Sequence, residues 1–328
     1  MRAVILAGRG GPEVLTLADR PDPVPAPGEV LVRVRAAGLN RADLLQRRGR
    51  YPAPADAPAD IPGLEFAGEV AALGAGVTGW RLGDRVFGLA GGGAQAELLA
   101  VHQRALAPVP ERLSWAEAAA VPEAFVTAWD ALVDQAALLA GERVLVHAVA
   151  SGVGLAAVQL ARAVGATPFG TTRTERKLAA ARALGLEDGI ALPDGPAPLV
   201  DAVHRWTGGR GMHVVLDLVG GGYLPHSLAA LAPRGRLLLV GLVAGRSATV
   251  DLGLVLARRL LVRGTVLRSR PLEEKILATR ALAAHVVPLL ARGIVRPVLD
   301  AVLPVAQIRA AHERLESNAT VGKVVVEF

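Results

Sequence analysis

From Val144 the chain reads Val144-Leu145-Val146-His147-Ala148-Val149-Ala150-Ser151-Gly152-Val153-Gly154 and then turns Ala-rich. An apolar run that ends in small residues and passes into a helical pattern is a strand, a tight turn and a helix N-terminus. That unit can hold the pyrophosphate of a dinucleotide, because the first helical N–H groups point outward and the helix dipole favours an anion. Gly152 and Gly154 lack a Cβ, so backbone can approach a phosphate and the helix can pack close to the strand. The usual first glycine is missing, and the pattern runs Ala148-x-x-Ser151-Gly152-Val153-Gly154. Such turns also occur as packing devices, so the surrounding elements decide the reading. Some 20 residues on, an NAD site places an acid against the ribose 2′-hydroxyl. Here the stretch is Gly170-Thr171-Thr172-Arg173-Thr174-Glu175-Arg176-Lys177. Arg173, Thr174 and Lys177 offer two cations and a hydroxyl at that place, which suits the 2′-phosphate of NADP(H). The alternative is that Thr174 caps a helix and the two cations are surface charges.

The elements around the turn resolve the first ambiguity. Strand and helix patterns alternate over residues 123–262: Arg143–His147 then Gly152–Val164, Thr167–Thr171 then Thr174–Leu184, Gly189–Leu192 then Pro198–Trp206, His213–Leu218 then Gly222–Leu231, and Arg236–Val240. Apolar strands alternating with helices predict a parallel sheet covered on both faces, a doubly wound (Rossmann) α/β domain. Residues 1–122 instead carry short strands punctuated by Gly and Pro: Ala3–Leu6, Glu29–Ala37, Phe66–Leu73 and Arg85–Leu89. Two Pro-rich stretches, Pro21–Gly28 and Tyr51–Pro58, cannot continue a ladder and read as loops. From about 263 onward come a strand Val262–Leu267 and a helix Leu272–Arg292, then Val298–Val302, Val305–Leu315 and a final strand Gly322–Phe328, and these last pieces resemble the strand-rich first region. The expected organisation is a nucleotide domain, 123–262, inserted into a discontinuous strand-rich domain, 1–122 with 263–328, with a cleft between them.

Composition narrows the chemistry. The 328 residues contain no cysteine, so disulfides, iron–sulfur clusters and thiolate zinc sites are excluded. Hydrophobic content is 52% with a mean hydropathy of +0.39, yet no apolar run reaches the ~18 residues of a membrane span. The N-terminus enters a strand pattern at once and lacks signal-peptide form, so a cytoplasmic protein is expected. A net charge of +6 and a pI near 10.5 would suit an RNA partner, but the arginines are dispersed and no basic block is interleaved with aromatics. Nucleic acid is therefore not the expected partner.

The motif order Gly38-Leu39-Asn40-x-x-Asp43, Pro62-Gly63-x-Glu65-x-x-Gly68, Gly83-Asp84-Arg85-Val86, Ala148 to Gly154 and Asp217-x-Val219-Gly220-Gly221 resembles the medium-chain dehydrogenase/reductase superfamily, from Met1 to Phe328. Asn40-Arg41-Ala42-Asp43 with Gly49-x-Tyr51-Pro52, Ala120–Ala124 and Leu267–Arg270 is similar to the zinc-free zeta-crystallin-type NADPH:quinone oxidoreductases, in the branch of the tumour-suppressor-inducible quinone oxidoreductases. The resemblance implies a mainly β GroES-like catalytic domain around the Rossmann domain. It also implies NADPH as cofactor and a homodimer or tetramer. Where the family's zinc enzymes carry a Cys and a His, this chain has Asn40 and Leu64, and leucine cannot ligate a metal. No metal site is expected.

By the same resemblance, Asn40 lies near the nicotinamide and the substrate, and Tyr51 lines the substrate mouth. Ser151, Gly152, Val153 and Gly154 meet the pyrophosphate, and Arg173, Thr174 and Lys177 the 2′-phosphate. Val219 and Gly220 lie near the adenosine; Gly241, Leu242, Leu267 and Arg268 meet the nicotinamide half, with Thr127 nearby. Leu192 and Asn318 depart from a Tyr and an Arg common in relatives. Without a Lewis acid, the acceptor must take hydride readily by itself, as quinones and conjugated enones do. Tyr51 could donate a hydrogen bond to the developing oxyanion, or simply pack on Pro52 and Pro54. Asp43 and Glu65 could serve proton chemistry or anchor loop backbone. The expected activity is NADPH-dependent quinone reduction. The alternatives are enone or alkenal double-bond reduction, and a non-catalytic NADPH-binding sensor or RNA-binding protein.

Overall fold

Period-two alternation along Glu29–Gly38 buries Val30, Val32, Val34 and Ala36 and leaves Arg33 and Arg35 outside, the mark of an antiparallel strand with one wet face. In the computed structural model, which describes residues 1–328, this strand is the centre of the first of two units. Unit one comprises Met1–Val126 and Leu267–Phe328, and unit two Thr127–Val266.

In chain order the strands of the N-terminal segment are β1 (Arg2–Leu6), β2 (Leu15–Asp19), β3 (Glu29–Gly38), β4 (Glu65–Leu73), β5 (Arg85–Leu89), β6 (Leu98–His102) and β7 (Leu106–Pro108). Unit two supplies β8 (Arg143–Val146), β9 (Thr167–Thr172), β10 (Asp188–Ala191), β11 (Met212–Asp217), β12 (Leu231–Leu239) and β13 (Leu261–Gly264). The chain then returns to unit one with β14 (Leu299–Pro304) and β15 (Lys323–Glu327). Unit one's large sheet runs β14-β15-β3-β4-β5-β7, with β6 also on β3, and β1 pairs with β2 apart from it. Register sets the site: Gly38, at the end of β3, faces Glu65 of β4 on one side and Val325 of β15 on the other. The C-terminal strand thus lies beside the residues that follow β3.

Unit two is a parallel six-stranded sheet in the order β10-β9-β8-β11-β12-β13. Helices Gly152–Ala163, Glu175–Arg182, Leu199–Thr207, Tyr223–Ala230 and Leu252–Arg258 connect the strands. The chain leaves β8 toward β9 on one side, while β11 lies on the other, so the topology reverses at β8/β11. Ligands of such sheets bind at the carboxyl ends of the strands where the order reverses. The fold is α/β, a doubly wound sheet together with a GroES-like unit.

Two boundaries differ from the sequence-based expectation. Unit two runs 127–266 rather than 123–262, because Leu261–Gly264 hydrogen-bonds to β12 as the sixth parallel strand instead of returning to the strand-rich unit. The expected single helix Leu272–Arg292 is α-helical over Leu272–Ala281, passes through a π-type turn at Leu282–Val286 and resumes at Val287–Ala291 around Pro288. A proline there lacks the N–H that a regular helix needs. No helix is long and apolar enough to cross a membrane.

Candidate active site

At the end of β8 the backbone makes the expected tight turn. Ala148 adopts φ 48°, and Ser151 caps the helix Gly152–Ala163 by accepting a hydrogen bond from Gly154 N–H at 3.1 Å. A Cβ on Gly154 would sit 2.5 Å from the Val149 carbonyl oxygen and 2.6 Å from that of Ala148, which no side chain tolerates. Glycine there lets the helix close onto the strand. The helix is 12 residues long, so its first-turn N–H groups and its dipole face the same point at the sheet edge.

The neighbouring loops converge on that edge. Asp217, the last residue of β11, accepts from Val219 N–H and Gly220 N–H through Oδ1, both at 2.8 Å. Its Oδ2 is buried without a partner. A Cβ on Gly220 would meet the Leu242 side chain at 2.8 Å and the Gly241 carbonyl at 3.0 Å. Val219, Gly220, Gly241 and Leu242 are therefore brought together as a close backbone pair. At the end of β9, Thr172 Oγ1 donates to the Thr174 carbonyl at 2.8 Å and accepts from Thr174 N–H at 3.2 Å, which folds the corner. Arg173 and Thr174 are exposed there, and Lys177 stands half-buried on the first turn of the next helix. The Thr174 side chain does not cap that helix. Leu192 is part of the hydrophobic core, and Thr127 lies on the helix Pro122–Trp129. Glycine cradles and a cationic corner at the carboxyl edge fit a phosphorylated dinucleotide.

His147 escaped the sequence reading as a site residue. It is fully buried, with Nδ1 2.8 Å from Thr171 Oγ1 and Nε2 2.8 Å from Ser227 Oγ, and the Tyr223 ring lies edge-on to it at 5.2 Å. Burial lowers its pKa, although Asp217 opposes this, so the ring braces β8, β9 and the helix after β11 as a neutral group. Its place one residue beyond β8 was the available signal.

Unit one gathers a second constellation. Asn40 precedes the helix Arg41–Arg47, and its N–H donates to Asp43 Oδ2 at 2.7 Å. Asp43 Oδ1 accepts from Gly63 N–H at 3.1 Å, so this acid does anchor loop backbone. Asn40 Nδ2 donates to Glu65 Oε1 at 2.9 Å, while Asn40 Oδ1 accepts from Lys323 Nζ at 2.6 Å. Lys323 Nζ also lies 2.5 Å from Glu65 Oε1 and donates to the Leu39 carbonyl at 2.7 Å. Glu65 Oε2 accepts from Glu123 N–H at 2.8 Å. One fully buried carboxylate therefore ties Asn40, Lys323 and the N-terminus of the helix Pro122–Trp129 together. Lys323 was not among the residues singled out from the sequence, and Glu123 entered only as part of the motif Ala120–Ala124. The first stands 283 positions from Asn40, and only the β3–β15 pairing brings it in.

Tyr51 is half-buried, and the Arg268 guanidinium lies over its ring at 5.1 Å. Arg268 donates to the carbonyls of Gly91 at 2.7 Å and Tyr51 at 3.2 Å, and to Gln46 Oε1 at 2.6 Å. The Arg268 side chain holds the Tyr51 loop, and Leu267 before it is buried. Burial raises the Tyr51 pKa against the opposing Arg268 charge, so the phenol stays protonated as a donor.

Burial also pushes the Asp43 carboxyl up to about 6, against its backbone hydrogen bonds and the charges of Lys323 and Arg268. A folded-state pKa raised from 3.8 means that the folded chain binds the proton more tightly than the unfolded one. Stability from this group is complete below pH 3.8 and is lost as pH rises through about 6. Asp43→Asn should flatten the fall in stability across that window, a difference of roughly 3 kcal/mol at 1.36 kcal/mol per pKa unit. Denaturant midpoints at a series of pH values check this; parallel curves for the two proteins would refute it.

Zinc does not fit these residues. Leu64 is buried hydrocarbon, both polar atoms of Asn40 are engaged, and the Lys323 ammonium already sits against Glu65. No group of three or more His, Asp or Glu side chains is placed to hold an ion.

The chain matches two known protein families, the alcohol dehydrogenase GroES-like domain over residues 26–111 and zinc-binding dehydrogenase over residues 152–283. It is 35% identical to a quinone oxidoreductase of Pseudomonas aeruginosa, covering 99% of both chains. It is 40% identical over 325 residues to the spectinabilin polyketide synthase system protein NorB of Streptomyces orinoci, where it spans only 14% of the relative's length. Its structure aligns over the whole of both chains with Escherichia coli quinone oxidoreductase complexed with NADPH, at a TM-score of 0.88 and 30% identity. Glycine turn, sheet order and end-to-end similarity agree: the chain belongs to the medium-chain dehydrogenase/reductase superfamily and is an oxidoreductase related to the quinone oxidoreductases.

Proposed function

We propose that the chain reduces quinones with NADPH, without a metal. The observation that carries the reading is the pairing of a donor phenol, Tyr51, braced by Arg268, with side chains that cannot build a Lewis-acid centre. An acceptor unaided by a metal must delocalise the incoming electrons itself, and a quinone does so as a phenolate. Ser151 to Gly154 would hold the pyrophosphate, Arg173, Thr174 and Lys177 the 2′-phosphate, Val219 and Gly220 the adenosine side, and Gly241 and Leu242 the nicotinamide side. Asn40, Thr127, Leu267 and Arg268 would complete the nicotinamide environment. When bound, the reduced nicotinamide supplies a hydride. Tyr51 then donates a hydrogen bond to the oxygen that gains charge. Lys323 and Glu65 keep Asn40 in one rotamer, and the Arg268 bonds hold Tyr51 in place. Orientation of this kind is a large part of catalysis of a two-partner transfer.

A second reading is reduction of an activated carbon–carbon double bond, because a conjugated enone, like a quinone, takes hydride without a metal and holds the charge as an enolate. Oxidation of NADPH and NADH with 1,4-benzoquinone, 9,10-phenanthrenequinone and an alkenal, measured side by side, separates the readings. Rapid NADPH turnover with quinones alone supports the first, and turnover of the alkenal alone supports the second.

The same reading includes a homodimer. β13 is one edge of the parallel sheet, the strand beyond β12. Leu261 and Val262 on that edge are exposed, as are Leu252 (68%) and Leu256 (77%) on the adjoining helix. An unpaired apolar edge of this kind invites a second copy. Light scattering should give twice the 33.9 kDa chain mass, and Leu261→Glu with Leu256→Glu should halve it. A monomer before substitution would rule the interface out.

A further inference from the structure

Glu123 stands at the start of the helix Pro122–Trp129, directly after a proline that needs no N–H partner. Its own N–H is fixed to Glu65 Oε2 at 2.8 Å, and the other oxygen of that carboxylate holds the Asn40 side chain at 2.9 Å. Glu65 thus sets Glu123 and Asn40 side by side. The Glu65 carboxylate is occupied by Lys323 and both Asp43 oxygens by backbone N–H groups, so neither acid is available to move a proton. The Glu123 carboxyl is not drawn into that network. The charges that act on it are those of Glu65 from β4, Asp43 from the helix after Asn40, Lys323 from β15 and Arg268, and it acts in turn on Tyr51.

We infer that Glu123 is the proton donor of the reaction, delivering to the acceptor the hydrogen that the nicotinamide does not supply. This rests on the reductase reading above. A quinone becoming a hydroquinone gains two electrons and two hydrogens. One hydrogen arrives with the electron pair from the reduced nicotinamide dinucleotide, which is oxidised. The second arrives as a proton when the Glu123 O–H bond breaks; the new O–H bond forms on the acceptor, and water reprotonates the carboxylate. An enone would take the same proton at its enolate, so the assignment holds for either acceptor. Burial and the Glu65 carboxylate beside it push the Glu123 carboxyl up to about 8, which keeps the proton in place at neutral pH, with Lys323 and Arg268 opposing and Asp43 reinforcing the shift.

The test uses Glu123→Gln and Glu123→Asp, both of which keep the backbone bond to Glu65. First, difference infrared spectra of the cofactor-free protein against Glu123→Gln should show a protonated carboxyl band that disappears as pH rises through about 8. Second, with whichever quinone or alkenal the parent turns over, kcat should fall as pH rises through that same range. Glu123→Gln should lower kcat by on the order of 10²-fold with little change in KM and abolish that limb, and Glu123→Asp should restore part of it. A carboxyl already ionised at neutral pH, or a Gln variant with parental kcat and pH profile, would overturn the assignment. A parent that reduces neither acceptor would instead refute the reductase reading, with the infrared result standing separately.

Discussion

Replacing Arg173 and Lys177 together by alanine should raise KM for NADPH by on the order of 10²-fold and leave KM for NADH within about twofold. The two cations flank the end of β9, where the ribose of a bound dinucleotide falls in sheets of this order. A charge-assisted hydrogen bond contributes roughly 1.5–3 kcal/mol, and 1.4 kcal/mol is tenfold in affinity. Arg173 is exposed, so the lower end applies to each contact. NADH lacks the phosphate and has nothing to lose. The discrimination should also weaken in the parent at high salt, because exposed charges are screened. Steady-state kinetics with both cofactors at low and high ionic strength checks this. Equal changes for NADPH and NADH would show that the phosphate is read elsewhere.

Lys323→Met should destabilise unit one by about 3–5 kcal/mol, the usual loss when one partner of a buried ion pair is removed. Glu65 is fully buried, and its other contacts are a neutral amide and one backbone N–H. The methionine fills the volume of the lysine stem but leaves the carboxylate without a countercharge. Asn40 loses the 2.6 Å bond that fixes its Oδ1, so kcat should fall as well. Adding Glu65→Gln should recover most of the stability, since no unpaired charge is then buried, while the orientation of Asn40 stays impaired. Denaturant midpoints of both variants, read beside kcat, decide the matter. A single variant within about 1 kcal/mol of the parent would mean that water reaches Glu65.

Much of this was legible in the chain. Period-two alternation in β3 and the alternating strand–helix patterns after Arg143 are local signals, because burial repeats with the geometry of each element. The glycine turn was legible for the same reason: a Cβ on Gly154 clashes with carbonyls only five and six residues back. The cationic corner at Arg173 to Lys177 lies within a single turn. The absence of cysteine settled the thiolate question outright.

What the sequence could not disclose depends on contacts across long separations. Leu261–Gly264 carries no mark that distinguishes a sixth parallel strand from one returning to the other unit; its pairing with β12 decides that. The Arg268 guanidinium braces a loop 217 residues earlier, a contact that no local pattern announces. Lys323 and Glu123 are unremarkable letters until β15 lies beside β3 and Glu65 bridges them to Asn40. Residue type and spacing determined the fold class, the glycine turn after β8 and the lack of thiolate ligands, because those follow from backbone geometry and ligand chemistry within short segments. Tertiary structure decided which carboxyl groups are paired and which one stands outside that network, because burial and countercharge are set by residues far apart in the chain.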